Sequence, residues 1–150
     1  MRDWIADENT VWAELIVFVL GGVLYGTIEV LFRGHTHWSM VLTGGACVLT
    51  LYLLLEWLDS QPLAIAALAG ALIITAYEFA VGCIVNLRYE WNVWDYSAME
   101  ANLLGQVCPL FTGVWFALCF LFLGLVRLLS CTEKYGIILN YVFTDNLSQQ

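Results

Sequence analysis

Apolar residues fill four long stretches of this chain, and short polar stretches separate them. Each apolar stretch is close to the roughly 20 residues that an α-helix needs to cross about 30 Å of hydrocarbon. The pattern therefore predicts four membrane-spanning helices, at residues 13–32, 38–57, 63–85 and 107–129.

The connections between these stretches predict how the helices pair. Residues 33–37 and 58–62 are so few that successive helices must run antiparallel as neighbours, whereas residues 86–106 form a long polar and aromatic segment. We therefore predict an all-α membrane protein, a four-helix bundle made of two helical hairpins within a single domain over 1–150. Both termini should lie on one side of the membrane.

The long segment carries a helix-start pattern of its own. Ser97-Ala-Met-Glu100 fits a capping box, in which the serine and the glutamate satisfy backbone donors at a helix N-terminus. We predict an interfacial helical segment that starts near Ser97. Pro109 lacks a backbone N–H and should disturb that helix between Gly105 and Pro109.

The two ends of the chain complete the topology. The residues before the first span include Asp3, Asp7 and Glu8, and no small-residue cleavage site follows it, so that span should stay in the mature protein. The C-terminal tail, 130–150, has an apolar run at 135–143 that is too short to span, and we predict that it lies on the membrane surface or against the bundle. Lys and Arg number three on the terminal side and two opposite, which favours termini inside.

Composition and charge narrow the class. With 61% hydrophobic and 12% charged residues, the chain is predicted to be an integral membrane protein surrounded by lipid. Its net charge of −8 offers no basic patch for nucleic acid. The five cysteines are scattered without a C-x-x-C pair, so they are interpreted as small apolar fillers, and neither a metal site nor a cofactor is predicted.

Two glutamates, Glu29 and Glu78, lie inside predicted spans. A charged side chain in a membrane is costly, so it normally faces protein, water or a partner charge. Gly22, Gly26 and Arg33 share a helix face with Glu29 and would allow a close helix approach beside an i, i+4 ion pair. Both glutamates should therefore mark the interior of the bundle.

The two hairpins also look distantly related. A parallel repeat, with an axis along the membrane normal, would place both glutamates near the same membrane surface. The matching elements are Tyr25, Glu29, Gly34, Trp38 and Ser39 in the first half, and Tyr77, Glu78, Gly82, Trp94 and Ser97 in the second.

Charged and aromatic groups of the loops should join the glutamates in one polar pocket. The predicted pocket contains Glu29, Arg33, His35, His37, Glu78, Arg88, Trp94 and Asp95. The alternative is that these groups only neutralise each other, Glu29 with Arg33 and Glu78 with Arg88, while Asp95 caps a helix. The two histidines are i, i+2 and do not share a helix face, which favours an interfacial loop over a metal site.

Several motifs together resemble a known family. They are Tyr25-Gly-Thr-Ile-Glu29, Arg33-Gly-His-Thr-His-Trp-Ser-Met40 with Gly44-Gly45, Tyr77-Glu78, Trp94-Asp-Tyr-Ser97 and Asn102-Leu-Leu-Gly-Gln106. Over about residues 18–120 the chain resembles the family described as "Putative ABC-transporter type IV", the CmpB-like small bacterial membrane proteins. The resemblance implies a permease-like protein of the bacterial cytoplasmic membrane, and it adds Ser97 and Asn102 to the predicted pocket.

The sequence also indicates which partners such a protein would need. It contains no G-x-x-x-x-G-K-[ST] loop, and its one lysine, Lys134, precedes a tyrosine, so an ATPase must be a separate chain. Four spans are few for a complete transport path, which favours a homodimer or a larger complex.

Three classes of function stay open. The first is a permease or ion-conducting subunit whose carboxylates bind a cation, a proton or a small polar solute. The second is a non-transporting structural or regulatory protein whose polar layer docks a partner. The third is a membrane enzyme, which we rank last because no nucleophile and base pair or metal-ligand set is present in the sequence pattern, so no catalytic residue is predicted.

Overall fold

The computed structural model describes residues 8–147 of the protein, and within them the side chains of residues 10–55 and 57–128. Helices dominate this part of the chain. They are α1 (Glu8–Arg33), α2 (Trp38–Leu53), α3 (Leu55–Ser60), α4 (Leu63–Gly82) with a π-helical turn at Cys83–Arg88, and α5 (Pro109–Leu147).

Three of the predicted spans are present as helices long and apolar enough to cross a membrane, namely Thr10–Arg33, Leu63–Arg88 and Pro109–Leu128. The remaining one, predicted over 38–57, is interrupted. Its helix α2 has 16 residues and ends at Leu53, and α3 follows after Leu54. One turn earlier the Thr50 hydroxyl donates to the Ala46 carbonyl at 2.8 Å, a back-bonding contact that bends helices.

The helices pack as two hairpins, α1 against α2 and α4 against α5, and α2 also contacts α4. Small residues set the close approach within the first hairpin. A Cβ atom added at Gly22 would lie 2.6 Å from the backbone oxygen of Val41. Between α2, α4 and α5, Cys47 and Cys119 are buried beside Ala67, where they act as apolar packing groups.

The predicted helix at Ser97 is wrong, because residues 89–108 form turns and irregular backbone with a β-bridge between Leu103 and Val107. Ser97 is not a helix cap: its backbone N–H and its hydroxyl both donate to Asp95, at 2.8 Å each. Left-handed backbone at Ala101 (φ 53°) and Leu104 (φ 54°) then prevents helix formation. Pro109 does not break a helix but is the first residue of α5, where a missing N–H costs no hydrogen bond.

A buried amide fastens this segment to the end of α4. Asn86, in the π-helical turn, accepts a hydrogen bond from the Val93 N–H at 2.7 Å and donates to the Trp94 carbonyl at 3.0 Å and to Gln106 Oε1 at 2.8 Å. The Trp94 indole in turn donates to the Gln106 carbonyl at 2.9 Å. These contacts hold Trp94 against the bundle.

At the other end of the chain, α5 continues as helix to Leu147. The backbone of the predicted tail is therefore helical over 130–147. Its position on the membrane surface stays a prediction.

Candidate functional site

Glu29 is buried near the C-terminal end of α1, with 7% of its surface exposed. One carboxylate oxygen accepts a hydrogen bond from the Arg33 guanidinium at 2.5 Å, and the other accepts from the Thr36 hydroxyl. Arg33 also donates to the Val93 carbonyl at 2.6 Å, so its guanidinium joins α1 to the 89–108 segment. The i, i+4 pair expected from the sequence is present, and it offsets the charge of Glu29.

Glu78 is buried more deeply, with 3% of its surface exposed, and has different partners. Its two oxygens accept one hydrogen bond each, from the Tyr25 hydroxyl at 3.1 Å and from the Trp115 indole at 2.9 Å. Both donors are neutral. The alternative pairing with Arg88 is not formed, because Arg88 lies exposed ten residues further on, about 15 Å along the helix axis.

A cleft of about 170 Å³ opens beside Glu29. It lies between α1 and α5, below the 89–108 segment. Glu29 and Arg33 are its charged residues, and six of its lining residues are aromatic: Tyr25, Phe32, Trp94, Tyr96, Phe111 and Trp115. The two donors to Glu78 therefore separate that carboxylate from the cleft.

The aromatic walls of the cleft are ordered as two stacked pairs. The Tyr25 and Trp115 rings lie 5.7 Å apart at 26°, and those of Tyr96 and Phe111 lie 4.6 Å apart at 19°. Burial, followed by the charge of Glu78, raises the pKa of Tyr96 well above its usual value. Its phenol is thus neutral at physiological pH.

Three predicted pocket residues brace the loop and lie outside the cleft. They are Asp95, Ser97 and Asn102. The Asn102 side-chain amide donates to the Ser97 carbonyl at 3.1 Å, and its oxygen accepts a hydrogen bond from the Gly105 N–H at 2.9 Å. The Ser97 hydroxyl, and then its backbone N–H, hold the pKa of exposed Asp95 below the usual range. These contacts fix turns in the 89–108 segment.

The two predicted histidines also lie outside the cleft. His37 caps α2, accepting from the Ser39 N–H at 3.3 Å, and its ring lies 5.3 Å from that of Trp38. His35 is exposed, with Nδ1 3.1 Å from the Arg33 carbonyl oxygen. Among the residues with described positions, no group of three or more His, Cys, Asp or Glu side chains could hold a metal ion.

Comparison with known proteins gives a family. The sequence model of the family described as "Putative ABC-transporter type IV" matches residues 17–144, most of the chain. The chain belongs to this family. The resemblance found in the motifs is thereby confirmed, and the family together with the three apolar helices identifies a membrane protein. No curated protein and no solved structure matches the chain.

For this family member, the structure brings Glu29, Arg33 and Trp94 to one cleft and places Glu78 behind its wall. The sequence pattern did not point to Trp115, because a tryptophan in an apolar helix has no local signature. Tyr25 had one, since it lies one helical turn before Glu29 on the same face.

Asn86 and Gln106, which were not among the predicted pocket residues, organise the 89–108 segment from within. Both are polar residues at the edge of an apolar run, and that position could have indicated that their side chains are buried and hydrogen-bonded.

Proposed function

We propose that the chain is a permease-like subunit of a transporter in the bacterial cytoplasmic membrane, and that its buried carboxylates bind a cation or a proton during transport. Glu78 carries this proposal. Its carboxylate is buried within a span, and the hydrogen bonds that it receives come from two neutral donors, Tyr25 and Trp115. A proton or a cation brought in from outside would balance its charge.

The two carboxylates have different partners, which supports different roles for Glu29 and Glu78. Glu29 has its own cation in Arg33, and this ion pair also ties α1 to the 89–108 segment. Glu78 is joined to α1 and α5 through its donors. A change in the charge of Glu78 would therefore act on the contacts between the two hairpins, which is how a bound ion can be coupled to a movement of one hairpin against the other.

The proposed assembly follows the family and the helix lengths. Helices α2 and α3 together would form the fourth crossing, because backbone bonds from Leu54 to Thr50 (3.1 Å) and from Leu58 to Leu54 (2.9 Å) continue the helical ladder through the break. We infer a multi-pass four-helix bundle, repeated in parallel. It would work as a homodimer or larger complex with a separate ATPase subunit, since the sequence contains no phosphate-binding loop.

A structural or regulatory role is the second candidate. The 89–108 segment supports it, because its exposed turns are cross-braced through Asp95, Ser97 and Asn102 and would offer a partner a pre-formed surface. In that case loss of Glu78 would leave partner binding unchanged, whereas Asp95→Ala would weaken it.

Ion flux into proteoliposomes tests the permease function. Vesicles with the purified chain would be loaded with a pH-sensitive dye, and proton and ²²Na⁺ uptake would be followed under an imposed potential. We expect Glu29→Gln and Glu78→Gln to lose the same flux and the double variant to be no worse than either, because both residues act in one site. Exposed Glu100→Gln is the matched control and should keep wild-type flux.

A parallel measurement covers ATP-driven transport. The chain would be purified from native membranes with its bound subunits, and ATP hydrolysis by the complex would be compared between wild type and Glu78→Gln. Full flux in both Gln variants together with unaltered ATP hydrolysis in Glu78→Gln would reject the permease function.

A further inference from the structure

The cleft between α1 and α5 opens sideways. Its rim is formed by apolar residues of the two spans that have large exposed fractions, 42% for Ile28, 43% for Val114 and 81% for Phe32. In a membrane-spanning chain such residues face lipid tails. The inner end of the cleft has the ion pair of Glu29 and Arg33. A ligand in the cleft would thus have a polar end inside the protein and an apolar end in the bilayer.

The charge at the inner end is negative when Glu78 is ionised. Arg33 offsets Glu29, while Glu78 is offset by no basic side chain among those described, so ionised Glu78 leaves an excess of one negative charge. The guanidinium of Arg33 is already bonded to Glu29 and to the Val93 carbonyl. Two of the five N–H donors of Arg33 are used in these bonds, so an anionic head group could reach only the remaining ones. With Glu78 ionised, it would also meet a net negative site.

The walls are suited to a cation that forms no hydrogen bonds. Tyr25 and Trp115 both line the cleft, stack on each other and donate to Glu78. The carboxylate behind them adds negative potential to their electron-rich faces, which attract cations. The stacked rings of Tyr96 and Phe111 also line the cleft, and Phe111 lies one helical turn before Trp115 on α5. Such an arrangement of aromatic rings is how proteins bind quaternary ammonium groups.

The size of the cleft sets the size of the head group. Its volume of about 170 Å³ leaves room for a compact cation. A chain attached to that cation would leave through the open side, along Ile28 and Val114.

We propose that this cleft binds a quaternary ammonium group carried on an apolar chain, with the cation against Tyr25 and Trp115 and the chain directed into the bilayer. The ligand class rests on the proposed permease function, because it names what the same site would carry. The shared chemistry is a trimethylammonium head, which a free amphiphile or a choline lipid could supply.

Ligand binding to the wild-type chain tests this without any variant. The protein would be placed in nanodiscs of phosphatidylethanolamine and phosphatidylglycerol and titrated with hexyltrimethylammonium, hexylsulfonate and tetramethylammonium, with tryptophan fluorescence as the readout. We expect saturable binding of hexyltrimethylammonium, weaker binding of tetramethylammonium because it lacks the chain, and none of hexylsulfonate. Equal binding of the cationic and anionic amphiphiles, or no saturable binding, would overturn the proposal.

Variants then locate the site. Trp115→Phe removes the donor to Glu78 and weakens the aromatic wall, and Glu78→Gln removes the charge; each should weaken binding about tenfold. Trp38→Phe, in the separate aromatic cluster of His37 and Trp91, is the matched control and should bind as wild type. Wild-type affinity in both site variants, with folding verified by thermal melting, would place the ligand elsewhere and overturn the proposal.

Two further experiments are needed. One distinguishes a lipid from a free amphiphile as the source of the head group, and the other distinguishes failure of the ligand proposal from failure of the permease proposal. Phosphatidylcholine in the nanodiscs should compete with hexyltrimethylammonium if a lipid is the ligand, and should leave its affinity unchanged if the ligand is a free amphiphile; either result agrees with the trimethylammonium site. Saturable binding without flux of the cation would retain the ligand class and reject the permease. Carboxylate-dependent flux of protons or ²²Na⁺ without such binding would retain the permease and reject the ligand class.

Discussion

The Tyr25 hydroxyl donates a 3.1 Å hydrogen bond to Glu78 Oε1, and this contact joins the first hairpin to the second. The Thr50 and Tyr77 hydroxyls form another polar link between the hairpins, at 2.9 Å. Because α1 packs extensively only on α2, the Tyr25 bond helps to align α1 with α4, while the Thr50 bond helps to align α2 with α4. The Tyr25 hydroxyl thus both joins the two hairpins and bonds a carboxylate of the candidate site.

Removal of that hydroxyl should loosen the hairpins. Tyr25→Phe keeps the ring but leaves Glu78 with Trp115 as its donor, and we expect a loss of about 1–2 kcal/mol in the free energy of unfolding, the usual cost of a buried acceptor that loses a partner. Denaturant unfolding in mixed micelles measures it. Tyr52→Phe, on an exposed ring of α2, is the control and should change stability little. Equal losses in the two variants would contradict this role of Tyr25.

Close packing within the first hairpin gives a second prediction. Gly22→Ala should cost about 1–3 kcal/mol, because the new Cβ would meet the Val41 backbone oxygen at 2.6 Å and backbone cannot move aside cheaply. Gly113→Ala is the matched control, since a Cβ there meets nothing within 4 Å and alanine favours the helix. Thermal unfolding of both variants decides: a similar effect of the two changes would show that α1 and α2 do not pack through Gly22.

Features that depend on residues close together in the sequence could be predicted, and features that depend on distant residues could not. The three long spans were found because their apolar runs are local and long. The break at Leu54 was not, because nothing in the composition of 38–57 separates a straight helix from one that turns near its end. The ion pair of Glu29 and Arg33 was predicted from i, i+4 spacing alone.

The errors at the site have a common cause. Ser97 matches a helix cap in its spacing to Glu100, yet Asp95, two residues earlier, binds the same serine first. Such local competition between a turn and a helix is not decided by spacing. The contact of Glu78 with Trp115 joins positions 37 residues apart, so it depends on how α4 packs on α5, which the sequence pattern does not contain.

The pH response of the 95–97 turn gives a third prediction. The Ser97 hydroxyl and N–H depress the pKa of Asp95 in the folded chain, so this contribution to stability is present above the unfolded-state pKa and is lost as the pH falls through the lower folded-state value. We expect the turn to open in acid. Hydrogen exchange of the Ser97 amide should accelerate only below the usual Asp range near about pH 4.

A variant pair checks the cause of that response. Ser97→Ala should raise the pKa of Asp95 toward its usual value and move the opening to higher pH, whereas Ser60→Ala, whose hydroxyl bonds the Trp57 carbonyl, should not move it. An unchanged profile in Ser97→Ala would mean that another group sets the pKa of Asp95.

The last prediction concerns the two arginines of the predicted pocket, of which Arg33 lines the cleft and Arg88 does not. Arg33→Ala would strand the Glu29 carboxylate, and breaking a fully buried pair costs about 3–5 kcal/mol. Because the Arg33 side chain is 30% exposed, we expect a smaller loss, about 2 kcal/mol in the free energy of unfolding. Arg88→Ala, at an exposed position away from both glutamates, should stay within about 0.5 kcal/mol of wild type.

A double variant distinguishes a stranded charge from lost packing. If the cost of Arg33→Ala is the unpaired carboxylate, adding Glu29→Gln should restore at least half of it, because the neutral amide no longer needs a cation and can still bond the Thr36 hydroxyl. If packing of the arginine stem against the bundle dominates instead, the second change will add to the first. A large loss in Arg88→Ala would show that Arg88 does reach a buried carboxylate, and the separation of the two arginines would then be wrong.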